Sequence, residues 1–258
     1  MKTRQSEPNP ALERDSRMSL DDTFCFDCGP HVPCFTECCG KLELRITPYD
    51  ALRLRRRLGI SAEEFLDSHT IIRWRTDHGL PEVMMKMDPA AGKKCPFVTS
   101  DGCSVYEDRP GACRIYPVGR ASTRDPVDGS PLEFFFTVKE DHCRGFEQTR
   151  RWSVREWVED QGLEEYNQVN DLLMELYVLK AKRPKLELLE QHKQMFLMTL
   201  YNSDKFRDFI LKSPFLTKFE VEPELLHALT DDDLELLLFG FRWLRFALFQ
   251  QPVLKMKK

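Results

Sequence analysis

Between Cys25 and Gly40 the chain reads CFDCGPHVPCFTECCG, which puts Cys25, Cys28, Cys34, Cys38 and Cys39 within one short stretch. Four more cysteines follow singly: Cys95 in KKCPF, Cys103 in SDGCSVY, Cys113 in RPGACRIYP and Cys143 in DHCRGF. Thiolates are soft donors that favour zinc, copper(I) and iron–sulfur clusters over magnesium or calcium. A tetrahedral zinc takes four donors, and a [4Fe–4S] cube takes four cysteines. Eight thiolates could therefore serve two sites, and a total of nine cysteines leaves one spare.

The four single cysteines each lie beside a turn-forming Gly, Pro or Asp. That placement suits ligands presented from loops, which can aim several sulfurs at one point while a scaffold holds them. Cys38 and Cys39 are adjacent, so their side chains should diverge and are not expected to share one mononuclear metal. Cys34 and Cys38 are four apart and would share a face of a helix. Arg109 and Arg114 flank Cys113 and could offset the negative charge of a sulfur-bound metal. Their alternative use is surface pairing with Asp101, Glu107 or Asp108. His31 and His142 lie within three residues of cysteines and could replace a sulfur, although a solvated or hydrogen-bonded histidine is the commoner case. His69, His78, His192 and His227 lie away from the cysteines in sequence.

Sharper catalytic patterns fail. The C-x3-C-x2-C spacing of radical SAM chemistry would start at Cys34 and Cys38, but position 41 is Lys. Cys25-Phe-Asp-Cys28 matches C-x-x-C without the βαβ surroundings of a thioredoxin-like site. There is no GxxxxGK[ST] and no GxGxxG opening a helix. A nucleophilic cysteine needs a base beside it, and sequence cannot bring His31 or His142 to any particular thiol.

The chain has 258 residues, of which 41% are hydrophobic, enough for a substantial core. Its 38 basic and 42 acidic side chains give a formal charge of −4, so no net field would hold nucleic acid. The first twenty residues lack the apolar run of a secretory signal. The most apolar window, LELLLFGFRWLRFALF from Leu234 to Phe249, is shorter than the roughly 20 residues of a membrane span and carries Arg242 and Arg245. It reads as a core helix. The expected location is thus the cytoplasm, with no membrane partner. In that reducing compartment, clustered cysteines more often bind metal than form disulfides.

The elements that must position the thiols are partly legible. TPYDALRLRRRLGI reads as a helix with Thr47 as cap, Pro48 at the first position and Gly59 as stop. Ser61 with Glu64 forms a capping box for a second, short helix. PEVMMKMD and, more clearly, LEFFFTVKE after the turn DPVDGSP read as strands. After Arg150 there are no cysteines and the pattern becomes helical. Ser153 to Gln161 with Gly162 gives a short capped helix, and Leu172, Leu173, Leu176 and Leu179 form a stripe. LELLEQHKQMFLMTLYN and DKFRDFILKSPFL continue in that style, as core rather than as a ligand box.

VPCFTECCGKLELRITPYDALRLRRRLGIS, KKCPFVTSDGCSVYEDRPGACRIYPVGR and EDHCRGF together resemble the YkgJ-type cysteine-cluster family, described as zinc- or iron-chelating proteins. The likeness spans about Cys28 to Phe146, and GCSVYEDRPGACRIYP is its most specific part. It implies a metal-binding fold built on Cys28, Cys34, Cys38, Cys39, Cys95, Cys103, Cys113 and Cys143, with Cys25 outside the pattern. A flagellin lysine methylase has a related cysteine pattern, but nothing in this sequence supports that activity.

The expected architecture is mainly α, with a small irregular α+β cysteine-rich metal-binding domain and a helical C-terminal half. Its parts are a disordered tail over 1–22, a cysteine-cluster domain over 23–147 and an α-helical domain over 148–258. The first functional expectation is a metal-binding protein holding an iron–sulfur cluster of the [4Fe–4S] kind, with a redox or electron-transfer role. The alternatives are structural zinc in a module that binds a protein partner, and an enzyme using the cluster or a free thiol.

Overall fold

The computed structural model describes residues 17–40, 42–74, 79–125 and 131–257. His78, the first sixteen residues of the expected tail and most of the DPVDGSP turn lie outside them. The elements run β1 (Thr23–Cys25), α1 (Pro48–Leu58), α2 (Ala62–His69), β2 (Thr70–Trp74), β3 (Pro81–Met85), β4 (Val98–Thr99), β5 (Gly102–Cys103), α3 (Gly111–Ile115), β6 (Val118–Arg124), β7 (Pro131–Thr137) and β8 (Arg151–Ser153). Seven helices follow: α4 (Val154–Asp160), α5 (Glu164–Ala181), α6 (Glu190–Tyr201), α7 (Ser203–Lys212), α8 (Phe215–Lys218), α9 (Pro223–Asp231) and α10 (Asp233–Phe249). The C-terminal half is helical, and the sheets are small antiparallel pairs: β1 with β8, β2 with β3, β4 with β5 and β6 with β7.

Local chemistry sets the boundaries of α1. Thr47 accepts from the backbone N–H of Asp50 while the Asp50 side chain accepts from the Thr47 N–H, a capping box that satisfies two otherwise orphaned donors. Pro48 stands at the first turn, where its missing N–H costs nothing, and Gly59 ends the helix at φ 67°, a left-handed conformation that a Cβ disfavours. Ser61 caps α2 by accepting from the Glu64 N–H, and Ser153 with Glu156 forms a full box at the start of α4.

One large core joins the two halves of the chain. Ile46, Tyr49, Leu54 and Phe65 from the first half are buried in the same cluster as Tyr166, Leu176, Phe196, Phe206, Phe241 and Phe249 from the helices. Each such side chain contributes about 1.5–3 kcal/mol by leaving water. The helix α10 runs through this core with Leu236, Leu244 and Phe249 fully enclosed, as its apolar sequence predicts. Among the described residues no helix is long and apolar enough to cross a membrane.

A smaller second core gathers Phe26, Val118, Phe135, Trp152, Val154 and Trp157. Phe26 meets Tyr116, Phe146 and Trp157 edge-on at centroid separations of 5.4–5.9 Å, an arrangement aromatic quadrupoles favour. Met18 closes this core from the N-terminal side, exchanging backbone hydrogen bonds of 2.7 and 3.1 Å with Phe135.

Candidate metal centre

The cysteines come from turns and short elements between the two cores. Cys34 does not share a helix face with Cys38. Thr36 adopts φ 71°, which interrupts helical geometry, and only Glu37–Cys39 form a single 3-10 turn. A β-branched residue at positive φ is a steric exception, so tertiary contacts hold this bend. One such contact is Phe35 against Gly102: a Cβ on Gly102 would stand 3.1 Å from the Phe35 ring, and Gly102 itself has φ 119°. The loop bearing Cys34 thereby touches the hairpin bearing Cys103.

That hairpin is short and tightly bonded. Val98 pairs with Cys103 and Thr99 with Gly102. The Thr99 hydroxyl donates to the Gly102 carbonyl at 3.0 Å, and the Ser104 N–H donates to the Phe97 carbonyl at 2.9 Å. Cys95 enters it after its N–H donates to the Cys39 carbonyl at 2.8 Å. The Val98 N–H donates to the Cys95 carbonyl at 3.2 Å, and burial pushes the Cys95 thiol up.

Cys113 sits on α3, whose start is fixed from a distance. The Gly111 N–H donates to Asp50 Oδ1 at 2.8 Å while the Thr47 N–H donates to Oδ2 at 2.8 Å, so one carboxyl group ties the cap of α1 to the first residue of α3. Asp50 is 1% exposed, and burial pushes its carboxyl up against the pull of these bonds. Sequence reasoning found Thr47 as the cap but missed this second bond, because nothing local marks a partner 61 residues away.

Arg109 and Arg114 do not pair with the surface acids Asp101, Glu107 or Asp108. Both are buried and spend their donors on oxygens that hold the loop together. Arg109 donates to the Tyr106 carbonyl at 2.6 Å and to the Gln161 side chain. Arg114 donates to the carbonyls of Arg109 at 3.2 Å, Gln161 at 2.7 Å and Glu107. Asp108 is taken by Arg53 instead. The two arginines therefore brace the backbone ahead of Cys113.

Cys143 belongs to the smaller core. The next residue, Arg144, donates its backbone N–H to the Cys34 sulfur at 3.1 Å. Gly145 then accepts from the Asp27 N–H at 3.2 Å, which draws the Cys28 loop to the same place. Tyr116 stands beside Cys143, and its hydroxyl is buried without a hydrogen bond of normal geometry. The Nε2 of His142 is also buried without a partner among the described residues, so it is a nitrogen donor available one residue from Cys143. His31 by contrast faces Asp27 at 3.3 Å, and His69 packs between the rings of Phe65 and Phe97.

All nine cysteines are free thiols, Cys28 exposed and the rest half-buried. Burial raises the Cys28 thiol to about 11, assisted by Cys38, Cys34 and Cys143. A hydrogen bond from Cys39 holds Cys38 down to about 7, and the same bond pushes Cys39 up, with burial, Cys95 and Cys113 adding to it. Burial raises Cys113 most, then Cys95, Asp50 and Cys103. Cys25 lies on β1 opposite Arg151 of β8.

Among the described residues no three His, Cys, Asp or Glu side chains are drawn together closely enough to hold a metal ion. The sulfurs are neighbours and not a finished coordination shell. Protonated thiols have little attraction for one another and thiolates repel, so a bound cation would have to supply the force that gathers them. The donor types fit a soft metal: thiols on neighbouring loops, a backbone N–H on the Cys34 sulfur, and a buried imidazole nitrogen of His142 beside Cys143.

A family model named CxxCxxCC, described as "Putative zinc- or iron-chelating domain", matches residues 27–144. No curated protein and no solved structure matched the chain. The matched span begins one residue before Cys28 and ends one residue after Cys143, so it encloses the eight cysteines described above and leaves out Cys25. Over residues 27–144 the chain is similar to this family of described zinc- or iron-chelating domains, in line with the likeness carried by its cysteine motifs.

Proposed function

We propose that this protein binds a soft metal through Cys28, Cys34, Cys38, Cys39, Cys95, Cys103, Cys113 and Cys143, and that the metal is iron in a [4Fe–4S] cluster with a redox or electron-transfer role. The observation that carries this reading is donation from a backbone N–H to sulfur, from Arg144 to Cys34 at 3.1 Å. Such donors stabilise thiolate over thiol and tune the potential of a sulfur-ligated cluster. A bound cluster would supply one-electron chemistry. The chain's own contribution is to present the sulfurs, shield them between two cores and brace Cys113 through Asp50, Arg109 and Arg114.

A second reading is structural zinc in a module that binds another protein. It is favoured by the solvent-facing apolar side chains of β2, where Ile71 is 50% and Trp74 45% exposed. Anaerobic purification, elemental analysis and an absorption spectrum separate the two. Brown protein with a broad band near ~400 nm and stoichiometric iron supports the cluster. Colourless protein with stoichiometric zinc supports the module, and protein that takes up neither metal rules out both.

A further inference from the structure

We infer that the cleft beside α1 is an anion site that takes a small molecule carrying a phosphate group. It uses no cysteine and goes beyond the metal-binding reading above.

Tyr49, Arg53, Arg56 and Arg57 stand at i, i+4, i+7 and i+8 of α1 and so share one side of that helix. Asp108, Glu165 of α5 and Leu234 of α10 complete the lining of a cleft of about 480 Å³. Clefts of about 300–1,000 Å³ are the ones that hold small ligands. This one opens where the cysteine-bearing part of the chain meets the later helices, and junctions of that kind are a preferred place for such sites.

Bonds already made leave the cleft with unspent positive charge. Asp108 is taken by Arg53, whose Nε and Nη2 lie 2.8 and 2.7 Å from its Oδ1. Glu165 accepts from the Tyr49 hydroxyl, which in turn accepts from Arg53 Nη1 at 3.2 Å. Among the described residues Arg56 meets an acid through Nε alone, 3.3 Å from Asp233, a carboxylate that Arg55 and Arg207 also hold. Arg57 has no hydrogen bond or ion pair among the described residues. The lining thus carries three guanidinium groups against two carboxylates that are both engaged, in a chain whose formal charge is −4.

The free donors define the ligand. A guanidinium offers N–H groups in a planar fork that matches pairs of phosphate oxygens. Arg56 and Arg57 are consecutive on a helix, so their forks reach the cleft from different directions. A tetrahedral phosphate presents oxygens to both, whereas a planar carboxylate satisfies one. Leu234 adds an apolar wall for the organic remainder. As cations in the last turn of α1 the arginines also oppose the helix dipole, a role that lysine fills as well. Lysine lacks the fork, which separates the two roles.

The test is isothermal titration calorimetry of the full chain, without added metal and at fixed ionic strength in chloride. The probes are inorganic phosphate, glycerol 3-phosphate and succinate. Both phosphates should bind saturably, one per chain. Arg56→Ala and Arg57→Ala should each weaken glycerol 3-phosphate roughly tenfold, about the worth of one charge-assisted hydrogen bond. Both side chains are exposed, so the variants should keep the wild-type circular dichroism. Arg57→Lys should keep the wild-type melting temperature yet recover only part of the affinity. Lys212→Ala removes an exposed cation on α7, outside the cleft, and should leave binding unchanged. Heat that never saturates, full affinity in Arg57→Ala, or an equal loss in Lys212→Ala overturns the site. Succinate binding as tightly as glycerol 3-phosphate, or full recovery in Arg57→Lys, overturns its assignment to phosphate held by guanidinium forks.

Discussion

Replacing Asp50 by Ala tests whether the Cys113 helix is held from a distance. The side chain is 1% exposed, and its two oxygens each accept one backbone N–H at 2.8 Å, from Thr47 and from Gly111. Alanine leaves both donors buried without a partner, at about 1–3 kcal/mol each, so the expected loss is about 2–6 kcal/mol. That is a large share of the stability of an ordinary domain. Asparagine keeps one acceptor and turns an amide N–H toward the other donor, so Asp50→Asn should cost about half as much. Urea unfolding of the metal-free protein, followed by circular dichroism, gives the shift at unchanged slope. Gly111 lies two residues before Cys113, so the second readout is Cys113 itself. Removing the carboxyl also removes one of the influences that push that thiol up, and its alkylation in the folded, metal-free protein should speed up at fixed pH. A loss below about 1 kcal/mol for Asp50→Ala, together with an unchanged Cys113 rate, would show that the bond to Gly111 does not position α3.

Cys25→Ala should retain the full metal content while Cys34→Ala and Cys113→Ala lose metal, as read by elemental analysis; a drop for Cys25→Ala would place that thiol among the ligands. Gly145→Ala should destabilise the protein by about 1–3 kcal/mol, because its Cβ would overlap the Phe26 ring and come within 2.8 Å of the Asp27 carbonyl. The same variant should weaken metal retention through Cys143, and an unchanged melting temperature would show that Phe26 can move aside. Asp233 sits 16% exposed among Arg55, Arg56 and Arg207, and these arginines hold its carboxyl below its usual range against the cost of burial. A depressed folded pKa gives stability that is present above the unfolded value of about 3.9 and is lost as pH falls through the folded value. Asp233→Asn should therefore cost about 1–3 kcal/mol at neutral pH, and the gap to wild type should close in acid; a gap that persists there would trace the loss to packing.

The amino-acid sequence determined the donor types on offer and the local elements. Nine cysteines, four of them single and beside turn residues, offer soft-donor chemistry because thiol chemistry is intrinsic to the residue. Thr47, Pro48 and Gly59 gave the limits of α1, and Ser153 with Gly162 those of α4, because caps and stops satisfy donors within a few residues. The apolar window from Leu234 gave a core helix because an all-round apolar helix must be enclosed. Tertiary structure decided what depends on contacts distant along the chain. The bend at Thr36 takes Cys34 off the helix face of Cys38, since packing of Phe35 on Gly102 outweighs local propensity. Arg109 and Arg114 turned from acidic side chains to backbone carbonyls because their loop is buried against Gln161, on a later element. The placement of the loops that carry the cysteines likewise follows from Asp50 reaching Gly111, Arg144 reaching Cys34 and Cys39 meeting Cys95, bonds whose partners carry no mark of one another in sequence.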